Sequence, residues 1–232
     1  MKGIYLGLET SSDETGLALI SDGEVIFETR GTGRLRHNEN LLVFIAEAFR
    51  QTGLKLKNLS AIFLTIGPGM FTSLRCGLSV AKGLALPGSL PVKGINSLLA
   101  LSATVESDGL FGTVLSLIDA RKGEVYAGLF QGKRGLSEPL VTSPAGVLKL
   151  ISVGQGFSLA SPLIIAGNGT ALTEPLLNYA GINFLKTDIL FPSPVAVIRL
   201  GADLLKEEGP DDLTVLEPVY LRRTDAELKR DG

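Results

Sequence analysis

The sequence predicts an α/β fold built from two halves of like plan. Residues 59–66 form an apolar run bounded by turn signals, then a glycine turn, then a helical stretch to residue 86. Three strand-like segments joined by short turns precede the first helix, and that opening partly recurs from residue 113. As topology this suggests duplicated α/β units, each beginning with a hairpin.

Taken in order, residues 4–9 read as a buried strand ending in an acid, residues 10–14 as a polar turn, and residues 16–20 as a second strand. Asp22 and Gly23 are a strong hairpin signal leading to a third strand over 24–29. A helix is expected from 38 to 52, with Gly53 as its C-terminal cap. It is apolar around most of its circumference, whereas covering one core needs only a stripe of roughly 100°. Burial on two sides is therefore expected, deep in the fold or against another chain.

Gly67, Pro68 and Gly69 break the chain sharply after the 59–66 strand, and Thr72 or Ser73 could cap a helix over 74–86. That helix is rich in small residues, with Gly77 and Gly83 inside it. Each costs roughly 1 kcal/mol relative to alanine, so close approach of another helix or of a ligand should compensate.

A short strand at 91–95 and a helix at 97–105 follow, then a break at Ser107, Asp108, Gly109 and Gly112. This break divides the chain into domains 1–108 and 109–232. Strands are expected at 113–119, 124–130, 163–166 and 215–221, and helices at 144–151, 170–179 and 194–208. Pro194 suits the first turn of the last helix, which could pack back on the first domain.

A chain of 232 residues with net charge −2 can bury a sizeable core and has no general electrostatic drive onto nucleic acid. The single cysteine, Cys76, excludes an internal disulfide and suits a reducing compartment as a small core residue. The N-terminal apolar run ends at Glu9, too short for a signal peptide or a span, so a cytoplasmic location is expected. With one histidine, His37, and one cysteine the chain cannot make a standard zinc centre. His37, near Arg34 and Arg36, reads as a surface or helix-start residue, and Arg222 and Arg223 as tail residues able to touch a phosphate.

Three constellations carry possible chemistry, each beside a plainer reading. The turn at 67–73 places N–H groups at a helix start, where an anion could bind, but the P-loop lysine is missing and a tight structural turn is favoured. Glu9, Asp13 and Glu14 with Asp119 could converge in a cleft and hold Mg²⁺ through water; alternatively they are solvated turn acids. Gly167 and Gly169 flank Asn168 between a strand and a helix, where a nucleotide could approach the backbone or a simple connection suffices.

The segment GPGMFTSLRCGLSVAKGLA at 67–85 resembles the signature of the bacterial TsaB (YeaZ) family. Residues 4–20, IDARKGEVY at 118–126 and EPVYLR at 217–222 agree with it, in the expected order along nearly the whole chain. That family is the non-catalytic paralogue of TsaD in the biosynthesis of threonylcarbamoyladenosine in tRNA. The resemblance implies the actin-like, hexokinase-like (ASKHA) fold, two ribonuclease-H-like domains with a cleft between them. LETSSDET at 8–15 is also close to the opening motif of TsaD. However, NSLLAL at 96–101 puts Ser97 and Leu101 where that paralogue has its metal-binding histidines.

The resemblance therefore implies no catalytic residue and no metal ligand, and a scaffold that binds and activates TsaD through the first two helices. Leu41, Leu42, Ile45, Phe49, Leu74, Gly77, Leu78 and Lys82 are the partner-binding candidates, some of which must face the core instead. Arginine at Leu78 or Gly77 is expected to abolish pairing without unfolding the chain. A homodimer when alone, the ATPase TsaE, the adenylate-forming TsaC, and tRNA reached only through the complex complete the implied partners. The alternative is an ATP-dependent small-molecule kinase using Glu9 and Asp119 around Mg²⁺ and Gly167 to Gly169 near adenine, with Asp13 a further candidate nucleotide contact. Against it, Asp119 is followed by Ala-Arg-Lys rather than a phosphate loop. ATP or ADP with Mg²⁺ held only at the complex interface is the third reading.

Overall fold

The computed structural model describes residues 2–32, 37–153 and 163–222. The arginines at 34, 36 and 223 and the side chain of His37 lie outside the described residues, so the expectations placed on them do too.

In the first half, β1 (Ile4–Glu9), β2 (Glu14–Ser21) and β3 (Glu24–Thr32) form an antiparallel meander. Its tight turn has Asp22 and Gly23 at positive φ, as a two-residue hairpin of this twist requires. Helix α1 (His37–Thr52) leads to β4 (Ala61–Gly67), α2 (Phe71–Ala85), β5 (Val92–Asn96) and α3 (Ser97–Ser107). The sheet order is β3-β2-β1-β4-β5, with β4 parallel to both β1 and β5.

The second half repeats the plan. Strands β6 (Thr113–Arg121) and β7 (Glu124–Gln131) form the opening hairpin, and the short β8 (Arg134–Gly135) and β9 (Leu140–Thr142) both pair with β7. Helix α4 (Pro144–Val153), β10 (Leu163–Ala166), α5 (Thr170–Tyr179), β11 (Phe184–Lys186) and α6 (Pro194–Glu208) follow. Parallel pairing puts β10 between β6 and β11, as β4 lies between β1 and β5.

Layering follows from which faces are apolar. Leu6, Leu8, Leu17 and Leu19 point to α1 and α2, whereas Ala18, Ile20, Ala61 and Phe63 point to α6. Gly7 and Gly201 carry no Cβ because Ile198 and Phe63 fill that space. Helix α3 packs Leu98, Leu101 and Val105 onto Val114, Ile118 and Phe130 of the second sheet, while α4 and α5 cover its other face. Each half thus sends its last helix toward the other half's sheet, and α3 and α6 pack together between the two sheets.

Two boundaries differ from expectation. Helix α2 starts at Phe71, so neither Thr72 nor Ser73 caps it; Met70 is the capping position and uses no side chain. Residues 215–221 are not a strand. They belong to an extended strap over 209–222 that makes isolated hydrogen bonds instead of a ladder, such as Val219 N–H to the Ile66 carbonyl.

Candidate functional site

Helices α1 and α2 lie side by side on the first sheet, and each has two apolar sides. The inner side holds Leu41, Leu74 and Gly77, with Ile45 and Leu78 only 6 % exposed. The outer side presents Leu42 at 58 % and Val43 at 62 % exposure, with Ala46. On α2 it continues through Phe71, Arg75, Ser79 and Gly83, and ends at Leu86 just past the helix.

Of the eight expected partner-binding residues, Leu42 is exposed and Phe49 and Lys82 are half-buried; the other five serve this chain's own core. A Cβ on Gly77 would overlap the Thr10 side chain, so the small residue there makes room for the loop after β1 rather than for a partner. Arginine at Gly77 or Leu78 would therefore disrupt the fold itself. Gly83 has open space around it and remains available for close approach.

At the N-terminal end of this face, Arg75 stacks over Phe71 with 3.8 Å from its guanidinium carbon to the ring centroid, and donates from Nε to the Tyr220 hydroxyl at 2.9 Å. Phe71 and Tyr220 have ring centroids 5.0 Å apart. The stack brings together residues distant in sequence, and only the family-like segments 67–85 and 217–222 hinted at it. Cys76 sits half-buried on the same helix, and burial pushes its thiol pKa up, which disfavours the thiolate.

The glycine turn closes on its own chain. Gly69 lies against the Ser11 backbone with no room for a Cβ, and Met70 N–H donates to the Ser11 carbonyl at 2.9 Å. This is the tight structural turn. Beside it Glu9 is fully buried at the end of β1, next to Gly16 and Pro194. Burial pushes its carboxyl up to about 7, opposed by hydrogen bonds from Ser11 and by the Thr65 hydroxyl, and reinforced by the charge of Glu14. Ser11 donates to Oε1 from its hydroxyl at 2.5 Å and its N–H at 2.8 Å, whereas Oε2 has no partner. A neutral carboxyl relieves that deficit by giving up one buried charge.

The structure brings Asp13 and Asp119 together across the two halves, but through a third residue. Arg121 donates from Nη2 to both Asp13 carboxylate oxygens at 2.8 and 2.6 Å, and from Nη1 to Asp119 at 3.3 Å. Asp119 also accepts from the Arg121 N–H at 2.7 Å. Sequence reading missed this clasp, since Arg121 stood out only for interrupting a phosphate loop. The carboxylates that would serve an Mg-nucleotide are thus engaged by a guanidinium. Gly167 and Gly169 sit against the backbone of Leu117 and Ile118, and Asn168 Oδ1 accepts from Asp119 N–H at 2.9 Å. That strand-to-helix connection is filled by the chain itself, so these residues as arranged do not fit a bound Mg-nucleotide.

Comparison with known proteins agrees with the architecture. The family model "TsaD: tRNA N6-adenosine threonylcarbamoyltransferase" matches residues 33–229. The chain is 30% identical to the tRNA threonylcarbamoyladenosine biosynthesis protein TsaB of Bacillus subtilis, over 97% of this chain and 96% of that protein. A tRNA N6-adenosine threonylcarbamoyltransferase of Geobacter is 27% identical over 81% of this chain but only 64% of its own length. The crystal structure of YeaZ from Pseudomonas aeruginosa superposes with a TM-score of 0.79 at 25% identity, covering 95% of this chain and all of that one. Full-length agreement with the shorter paralogue, on an actin-like fold of two sheets, places the chain in the TsaB (YeaZ) family.

Proposed function

We propose that this chain is a non-catalytic subunit of the machinery that makes threonylcarbamoyladenosine at position 37 of tRNA, where it binds and activates a TsaD-type transferase. The observation that carries the reading is the fate of the two positions where the catalytic paralogue has metal-binding histidines. Ser97 is buried at the start of α3 and accepts a hydrogen bond from Gly67 N–H at 3.1 Å. Leu101 is fully buried in the core between α3 and the second sheet. Both positions hold structure and offer nothing to a metal or substrate.

What remains for function is the outer face of α1 and α2, an exposed apolar strip that a related fold can cover by helix-on-helix packing. In this reading the chain acts in the cytoplasm and pairs with a second copy of itself when the partner is absent. The ATPase TsaE and the adenylate-forming TsaC act with the complex, and tRNA is reached only through it. ATP or ADP with Mg²⁺ belongs to the interface with the partner, because Arg121 already holds Asp13 and Asp119. That engagement also weighs against the kinase alternative.

Arginine at Val43 or at Ser79 places a charge on the exposed strip without entering the core. Both variants should fold with an unchanged melting temperature and lose co-purification with the TsaD-type partner. Retained co-purification by both folded variants would remove this face from the interface.

A further inference from the structure

The strap over 209–222 has no helix or strand of its own, yet it is fastened at intervals to both halves. Asp211 accepts from Lys93 Nζ at 2.8 Å and from Gly94 N–H at 2.7 Å, and donates its own N–H to the Val92 carbonyl at 2.9 Å. It thereby covers the outer edge of the first sheet. Leu213 and Leu216 pack against the core beneath α1 and α2. Val219 N–H reaches the Ile66 carbonyl at 2.7 Å, and Tyr220 enters the stack with Phe71 and Arg75. Two residues on, Arg222 crosses to the second half, donating from Nη1 to the Ala120 carbonyl at 2.8 Å and pairing with Glu124.

We infer that this strap couples the exposed face of α2 to the clasp between the two halves. Ala120 and Glu124 belong to the β6–β7 hairpin that carries Arg121, and Arg121 is the side chain that crosses to Asp13. The hairpin is therefore held from one side by the clasp and from the other by the strap. Its turn holds Arg121 and Lys122 at positive φ, a conformation costly for residues with a Cβ. A protein seated over Phe71 and Arg75 must either keep Tyr220 in place or displace it. Displacement withdraws Arg222 from the hairpin and frees the clasp, so docking and clasp closure become linked, each biasing the other. The partner's share in this rests on the docking face proposed above; the link within the chain does not.

Hydrogen exchange on the full chain tests the link directly. Tyr220→Ala removes the ring that stacks with Phe71 and Arg75, Arg222→Ala removes the direct brace, and Val215→Ala trims an exposed strap side chain as a control. The first two variants should each speed exchange across residues 113–131 by roughly fivefold or more, with the control unchanged and all three retaining native melting. If Tyr220→Ala speeds exchange only within 215–222 and the start of α2, the coupling is refuted. A second arm adds the TsaD-type protein: hairpin exchange should change on complex formation in the wild type but not in Tyr220→Ala. Unchanged hairpin exchange in a wild-type complex that does form also refutes the coupling. Absence of any complex refutes the docking face, and the isolated-chain arm then decides the link on its own.

Discussion

At the scale of single residues, Glu9 is a carboxyl whose complete burial opposes its charge. Its ordinary value of 4.5 is raised to about 7 by complete burial. The folded state therefore binds this proton more tightly than the unfolded chain does. The stabilisation is fully present below pH 4.5 and is lost as pH rises through about 7. At roughly 1.4 kcal/mol per pH unit the difference amounts to about 3–4 kcal/mol. Glu9→Gln should leave stability nearly unchanged at pH 4 and raise it by up to about 3–4 kcal/mol at pH 8 in denaturant unfolding. Equal stability of variant and wild type at both pH values would mean that Glu9 is solvated. The sequence marked Glu9 as an acid at a strand end but not its burial, and the adjacent Gly16 meets Pro194, which reaches it from the other end of the chain.

At the scale of elements, α2 shows what periodicity can and cannot read. Its small residues announced a close approach, yet Gly77 accommodates Thr10 of the same chain and Gly83 faces open space. The two glycines should respond oppositely to alanine. Gly83→Ala should stabilise by about 0.5–1 kcal/mol through helix propensity. Gly77→Ala should destabilise by about 1–3 kcal/mol, because its Cβ meets a packed side chain. Thermal unfolding of the pair checks this, and a stabilised Gly77→Ala would show that the Thr10 loop yields. The start of α2 was misplaced because its cap is a backbone position at Met70, invisible to a search for capping side chains. Residues 215–221 have a strand's composition, but Pro218 and the lack of a ladder partner leave them as a strap. Strands of two or three residues, such as β8 and β11, are too short to carry a period at all.

At the scale of the molecule, the recurrence of the opening hairpin from residue 113 was legible as topology because both halves start with a hairpin whose first strand is central to its sheet. The sequence left open that the 194–208 helix packs back on the first domain, but not that α3 covers the second sheet, since an apolar helix face does not say which sheet it will cover. Nor was the Arg121 clasp legible, which joins residues 108 positions apart. The same architecture appears on a chain whose positions 97 and 101 are spent on structure and whose first two helices carry exposed apolar side chains. The most direct test of that account is reconstituted threonylcarbamoylation of tRNA by the TsaD-type transferase, with TsaC, TsaE and this chain added or withheld. The account predicts modification only when the chain is present in amounts comparable to the transferase, and none from the chain without the transferase. Full modification in its absence, or modification by the chain alone, would contradict it.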